Sequence, residues 1–211
     1  MASSTLFKHV LFFLISVIAT SYIVQAGDPD ILSDFIVPLT SNIPIDGNFF
    51  TFTGMRGLPA NSTNPSTFKV TKATMAEFAA LNGQSVSMAV LQFPAGSVNP
   101  PHTHPRSAEL LFVVEGSMEV GFVDTTNKLY TQTLQVGDLF VFPKGLVHYQ
   151  YNADATNEAT AISAFGSANA GTVSTPVTLF ATGIDDGILA KSFKTDVATI
   201  QKLKAGLGAM A

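Results

Sequence analysis

The chain has 211 residues, 46% of them apolar, 12% charged and none of them cysteine, with a net charge of −4. An acidic balance offers no electrostatic footprint for nucleic acid, and without cysteine no disulfide can contribute to stability. A chain of this length can bury a core of its own, so stability must come from that core, from a bound ion or from neighbouring subunits.

Residues 1–26 read as an export leader: Lys8 and His9 give a weakly positive start, Val10 to Val24 is nearly all apolar, and Val24-Gln25-Ala26 supplies a small-residue cleavage site before Gly27. The apolar run falls short of the roughly 20 residues a membrane-spanning helix needs, so a secreted protein with no anchor after cleavage is expected. Lys8 is the only full charge in the leader. Residues 27–211, expected to form a single domain, therefore carry 10 basic and 15 acidic groups, a net of −5. So high an apolar content in an exported chain points to self-association that covers part of the apolar surface.

Residues 54–67 are rich in Gly, Pro, Asn, Ser and Thr and read as a loop. Within them Asn61-Ser62-Thr63 is a glycosylation sequon, and in an exported chain Asn61 is expected to carry a glycan. Thr74-Met75-Ala76-Glu77 has the form of a capping box and predicts a short helix that Asn82-Gly83 would end. From Ser85 to Phe165 short β-rich runs alternate with turn residues. Strands are predicted at Ser85 to Phe93, Glu109 to Val114, Ser117 to Val123, Leu129 to Leu134, Leu139 to Phe142, Val147 to Tyr151 and Thr160 to Phe165, the pattern of an all-β sandwich or barrel. Near the C-terminus Phe193, Val197, Ile200, Leu203 and Leu207 recur at helical spacing, with Gly206 placed to stop the helix. Such a helix either packs on its own sheet or reaches a partner subunit.

Outside the leader only three histidines occur, His102, His104 and His148. His102 and His104 are two apart, so on an extended backbone they leave the same face. Glu109 opens the next strand, and the turn Pro143-Lys144-Gly145 returns the strand of His148 antiparallel to its neighbour. An isolated His-x-His is usually a surface feature and a lone Glu a solvated charge. Three imidazoles and an acid at the ends of predicted strands are instead a ligand set for a divalent cation, and residue chemistry leaves Mn, Fe, Zn and Cu open.

Two spaced motifs surround these residues. Gly96, His102, His104, Glu109 and Gly116 form the first, and Gly137, Pro143, Gly145, His148 and Asn152 the second. Together they resemble the two boxes of the plant germins and germin-like proteins of the cupin superfamily. The resemblance continues in Asp28-Pro29-Asp30, Asp34-Phe35, Asn99-Pro100-Pro101 and Asn127-Lys128-Leu129-Tyr130. It implies a cupin β-jellyroll barrel with a short capping helix and C-terminal helices. It also implies manganese held by His102, His104, Glu109 and His148, an extracellular place in the apoplast or cell wall, and homo-oligomers from dimer to hexamer clasped by the C-terminal helices. The implied activity is a superoxide dismutase-type redox reaction in plant defence or development, with Asn99 as the candidate catalytic residue.

Two departures matter. Where the family usually has a cysteine after Asp-Phe this chain has Ile36, so packing of Phe35, Ile36 and Val37 must hold the N-terminal segment. Oxalate-oxidising germins carry an asparagine after Ser-Met, and here Ser87-Met88 is followed by Ala89. A methyl group donates no hydrogen bond, and loss of a donor that acts in a transition state costs about 10²-fold or more, which argues against efficient oxalate oxidation. The sequence leaves open whether the protein is an enzyme. The alternative is a non-catalytic, metal-stabilised binding, wall or storage protein for a small carboxylate such as an auxin, with Phe93, Phe112, Phe142 and Met88 either lining an apolar pocket or filling the core.

Overall fold

The computed structural model describes residues 27–39, 44–58 and 65–208. The expected leader and the sequon at Asn61 lie outside the described residues. Ten strands form: β1 Lys69–Ala73, β2 Ser87–Phe93, β3 Val98–Thr103, β4 Glu109–Glu115, β5 Ser117–Val123, β6 Leu129–Gln135, β7 Leu139–Phe142, β8 Val147–Tyr151, β9 Ala159–Phe165 and β10 Val173–Ser174. They pair antiparallel in two five-stranded sheets, β1-β2-β9-β4-β7 and β10-β3-β8-β5-β6. Two facing antiparallel sheets with this crossed strand order are the jellyroll that the resemblance implied.

Alternation along the strands builds the core. Ala89, Leu91 and Phe93 of β2 and Leu111 and Val113 of β4 turn inward from one sheet, and they meet Met118 and Val120 of β5 and Leu134 of β6 from the other. Strand β4 shows the period-two burial most plainly, Leu111 and Val113 inward and Leu110 and Phe112 outward. The turn between β4 and β5 depends on Gly116, whose φ is +72° and whose added Cβ would collide with the Glu158 carbonyl oxygen and lie 2.9 Å from Ala159 Cα. Only glycine fits there. Asn152 closes the second motif as a structural anchor, its amide donating to the carbonyls of Phe93, Pro94 and Asn157.

Several expectations need correction. The predicted capping helix is a 3₁₀ turn, Ala79–Leu81. The capping box itself forms, with Thr74 N and Oγ1 both on Glu77 Oε2 at 3.0 and 2.6 Å, but no α-helix grows from it. Strands β1, β3 and β10 carry no clean alternation, and β3 contains Pro100 and Pro101, which cannot donate to a ladder; its register against β8 shifts between Asn99 and His102.

The single late helix divides. Among the described residues three α-helices form, α1 Thr175–Phe180, α2 Asp186–Phe193 and α3 Val197–Gly208, and left-handed Lys194 separates the last two. Phe193 therefore ends α2, and Gly206 lies inside α3. Leu189, Ala190 and Ile200, with Phe180 and Ile184 against them, make a small second core, and Lys204 pairs with Asp186 at 2.6 Å. The N-terminal segment is held partly as expected, with Phe35 edge-on to Phe50 at 5.2 Å. A further anchor was not legible: the Asp28 carboxylate accepts from Ser167 Oγ and from Ala168 N, both at 2.6 Å.

Candidate metal centre

The four sequence-predicted residues converge. His102 lies near the end of β3 and is the cross-strand partner of His148 on β8, so the two rings stand side by side with centroids 4.2 Å apart. His104 follows β3 by one residue, and its carbonyl accepts from Gly145 N, which ties it to the turn preceding β8. Glu109 opens β4 in the opposite sheet, between Phe142 and Phe165. All four side chains are buried, and their donor atoms lie within 4.8 Å of one another.

The hydrogen bonds fix what these side chains offer. Each imidazole Nδ1 faces a backbone carbonyl: His102 to Pro100 at 2.8 Å, His104 to Gly171 at 2.5 Å and His148 to Leu146 at 2.9 Å. A carbonyl only accepts, so Nδ1 carries the hydrogen, and a ring with that single hydrogen presents Nε2 as a lone pair. Nε2 of His104 and of His148 then meet Glu109 Oε2 at 3.0 and 3.1 Å, acceptor against acceptor. Such contacts repel unless a cation or an extra proton lies among them. The donor set therefore fits a divalent metal.

Two residues that sequence reading did not single out orient the carboxylate. Ser163 Oγ donates to Glu109 Oε1 at 2.6 Å, and Gln150 Nε2 donates to the same oxygen at 3.2 Å. This leaves Oε2 for the imidazoles. Gln150 was within reach of the alternation rule, being two residues beyond His148 on the same strand face. Ser163 lies on β9 and gives no sequence signal. Asn99 completes the chain of contacts, its Nδ2 donating to Gln150 Oε1 at 2.7 Å. Partners that orient a ligand typically carry 10- to 100-fold in metal affinity. Ser163→Ala is expected to weaken divalent-metal binding by about that factor while the barrel stays folded, measurable by competition with a chelator.

Burial, and after it the neighbouring His148, keep His102 neutral and lower its pKa from the ordinary 6.5 to about 4. For Glu109 burial alone favours the neutral acid, but with such an extra proton shared in the cluster the contacts with His104 and His148 become attractive, outweigh burial and bring the pKa down to about 2. Between pH 6.5 and 4 the unfolded chain therefore binds a proton at His102 that the folded chain does not, and between pH 4.5 and 2 the same holds at Glu109. Stability rises with pH across both windows; it is fully present above pH 6.5 and is lost progressively on acidification. The melting temperature of metal-stripped protein should fall from about pH 7 to about pH 4, and a flat profile would contradict this assignment.

Beside the cluster opens a cleft of about 250 Å³. Val70, Ala89, Leu91 and Phe165 give it apolar walls, and Lys72 and Asn99 are among its polar groups. Of the aromatic and sulfur side chains considered as pocket lining, only Met88 borders the cleft. Phe93 and Phe142 are fully buried core, and Phe112 is partly exposed on the outer face of its sheet.

Comparison with known proteins matches this fold. Residues 57–201 match the Cupin family. Germin-like protein 9-3 of Oryza sativa subsp. japonica is 63% identical over 212 residues, covering 98% of this chain and 97% of the relative. The chain is a germin-like member of the cupin family. Germin-like protein subfamily 2 member 4 of Arabidopsis thaliana is 40% identical over 207 residues, covering 92% of this chain and 94% of that one. Among solved structures, an oxalate oxidase superposes with a TM-score of 0.77 at 32% identity, over 88% of this germin-like chain and all of the other. An oxalate oxidase in complex with the substrate analogue glycolate gives 0.77 at 31%, over 87% of this chain and all of that one. The germin-like fold thus carries, in this chain, a buried His-His-Glu-His group suited to a metal.

Proposed function

We propose that this germin-like chain is an exported manganese protein of the apoplast that disproportionates superoxide, two superoxide anions and two protons giving dioxygen and hydrogen peroxide. The observation that carries the reading is the acceptor-lined cluster of His102, His104, Glu109 and His148 at the base of an open cleft. Bound manganese would supply one-electron redox chemistry and coordination positions beyond those four ligands. The chain's own residues do the rest. Ser163 and Gln150 hold Glu109, the barrel keeps the imidazoles out of bulk water, and Asn99, whose amide nitrogen is committed to Gln150, has its Oδ1 left to orient a small molecule entering the cleft. Ala89 borders the cleft with a methyl group and no donor, which supports a small anion rather than oxalate as substrate.

Elemental analysis of purified protein is expected to find one manganese per chain. Superoxide loss should depend on that ion and disappear in His104→Ala. Protein that binds manganese but leaves superoxide untouched would favour the non-catalytic alternative; protein that binds none would overturn the reading.

The same reading includes cleavage of residues 1–26, a glycan on Asn61, a single domain over 27–211 and self-assembly. Support for assembly comes from the outer face of the first sheet, where Leu110 stands between Val141 and Ala164, and Phe112 between Leu139 and Ile162. Leu110, Phe112, Leu139 and Val141 are all exposed, a contiguous apolar patch that a second copy would cover. On α2 and α3, Ile188, Phe193, Val197 and Leu203 are exposed as well. Leu139→Lys combined with Val141→Lys should lower the mass measured by light scattering to that of a smaller assembly without unfolding the barrel. Among the described residues no helix is long and apolar enough to cross a membrane.

A further inference from the structure

Among the described residues Lys72 is the only lysine or arginine lining the metal cleft, and Glu109 its only acid. Lys72 sits on β1 directly opposite Ala89 of β2. Directly opposed residues of an antiparallel pair project from the same face, about 5 Å apart at Cβ. Because Ala89 turns into the barrel among Leu91 and Phe93, Lys72 takes the cleft side of β1 too. The next pair, Val70 and Leu91, continues that wall in apolar form. A methyl group opposite the lysine leaves its long stem free to lie across the cleft mouth, and the residue is solvent-exposed there.

No acid of the chain claims this ammonium in an ion pair among the described residues. The neighbouring Glu77 spends its carboxylate on Thr74 N and Oγ1. Lys72 acts on Glu77 only through space, as the last-named of the influences that lower the Glu77 pKa. The cation is therefore available to whatever enters the cleft.

From this placement we infer that Lys72 is a specificity-determining residue of the metal cleft, selecting small anions over neutral molecules of the same shape and drawing them in. The inference rests on the metal reading above, since it adds to the charge that a bound ion would bring. With a divalent ion in place the cleft would carry Glu109 at −1, the ion at +2 and Lys72 at +1, a net of +2 that falls to +1 without the lysine. A low-dielectric cleft with one sign of charge focuses its field outward and raises the local concentration of oppositely charged ligand. Superoxide, or the carboxylate of a small organic acid, would feel this in the same way. Asn99 alone would not distinguish charge.

The test uses glycolate, a two-carbon anion held by a structurally similar protein, and its neutral isostere glycolamide, titrated calorimetrically into manganese-loaded protein. Manganese content is measured first for the wild type and for Lys72→Ala, Lys72→Glu and Lys72→Arg, and it should be equal in all four. Glycolate should bind Lys72→Ala about two- to fivefold more weakly, the size of effect expected for a solvent-exposed cation. Lys72→Glu should lose more and Lys72→Arg should stay close to the wild type. Added sodium chloride should weaken glycolate binding to the wild type more steeply than to Lys72→Ala. Glycolamide should bind all four alike. Manganese-loaded Lys72→Ala that binds glycolate as tightly as the wild type overturns this inference alone, as does loaded wild type that shows no preference for glycolate. Wild-type protein that takes up no manganese overturns the metal reading, and this inference with it.

Discussion

Glu109→Gln protein is expected to fold and to lose its metal. In the native chain Glu109 supplies the only negative charge of the cluster, and its two oxygens have separate duties. Oε1 accepts from Ser163 and Gln150, and Oε2 faces the lone pairs of His104 and His148. A glutamine of the same shape keeps one oxygen for the first pair and turns an N–H₂ toward the imidazoles, where two repulsive contacts become donor-to-acceptor ones. Metal-free stability should therefore hold or rise. Metal binding should fall by more than about 100-fold, because this change removes a charged ligand whereas loss of an orienting partner alone already costs 10- to 100-fold. Manganese analysis after exhaustive dialysis, with a thermal melt of the metal-stripped protein beside it, separates the two effects. Retention of stoichiometric manganese would sink the assignment of Glu109 as a ligand.

The same separation of duties explains what was legible in the sequence. His102, His104, Glu109 and His148 could be read because ligand chemistry is a matter of residue type, and the strands that carry Glu109 and His148 are bounded by clear turn residues. Strand β2 was legible as a short apolar run bounded by turn residues, although Val90 and Gln92 are buried along with Ala89, Leu91 and Phe93. What surrounds the site was harder. β1 and β3 are held in place by pairing with β2 and β8, long-range contacts that leave no local period, and Pro100-Pro101 reads as a break although the strand continues past it to His102. Lys72 therefore reads as an ordinary surface charge until its partner Ala89 is known. Ser163 acts on Glu109 across 54 positions of sequence through a single hydroxyl, and nothing near it in the chain announces that role. The Asp28 clamp reaches 140 positions to Ala168 and is equally silent. Local rules also overreached: the capping box at Thr74 forms its bonds, yet Asn82 and Gly83 cut the segment too short for a helix whose nucleation is costly.

Phe142→Ala is expected to show the largest loss of stability of any single change at this site. Phe142 is wholly buried and ends β7 directly opposite Glu109. Its ring stacks on His148 at 4.4 Å with an interplanar angle of 22°, and its other neighbours include Phe140 at 5.0 Å. It belongs at once to the hydrophobic core and to the wall behind a metal ligand. Truncating a buried phenylalanine to alanine costs about 3–5 kcal/mol, the transfer term plus a cavity the rigid barrel cannot close. Against a total stability of about 5–15 kcal/mol this is a large fraction, and the melting temperature should drop by roughly 10 °C. The second consequence follows from the stacking. With the ring gone, one face of His148 loses its support, leaving the Nδ1 contact to Leu146, the Nε2 contact to Glu109 and the register against His102 to orient it, so metal affinity should also weaken, by about tenfold, as for other losses of ligand support. Phe142→Leu refills most of the volume and should recover most of the stability without the flat face that aligns the imidazole. If the Phe142→Leu protein regains both its melting temperature and its full metal affinity, the stacking contributes nothing beyond packing, and His148 is positioned by its backbone alone.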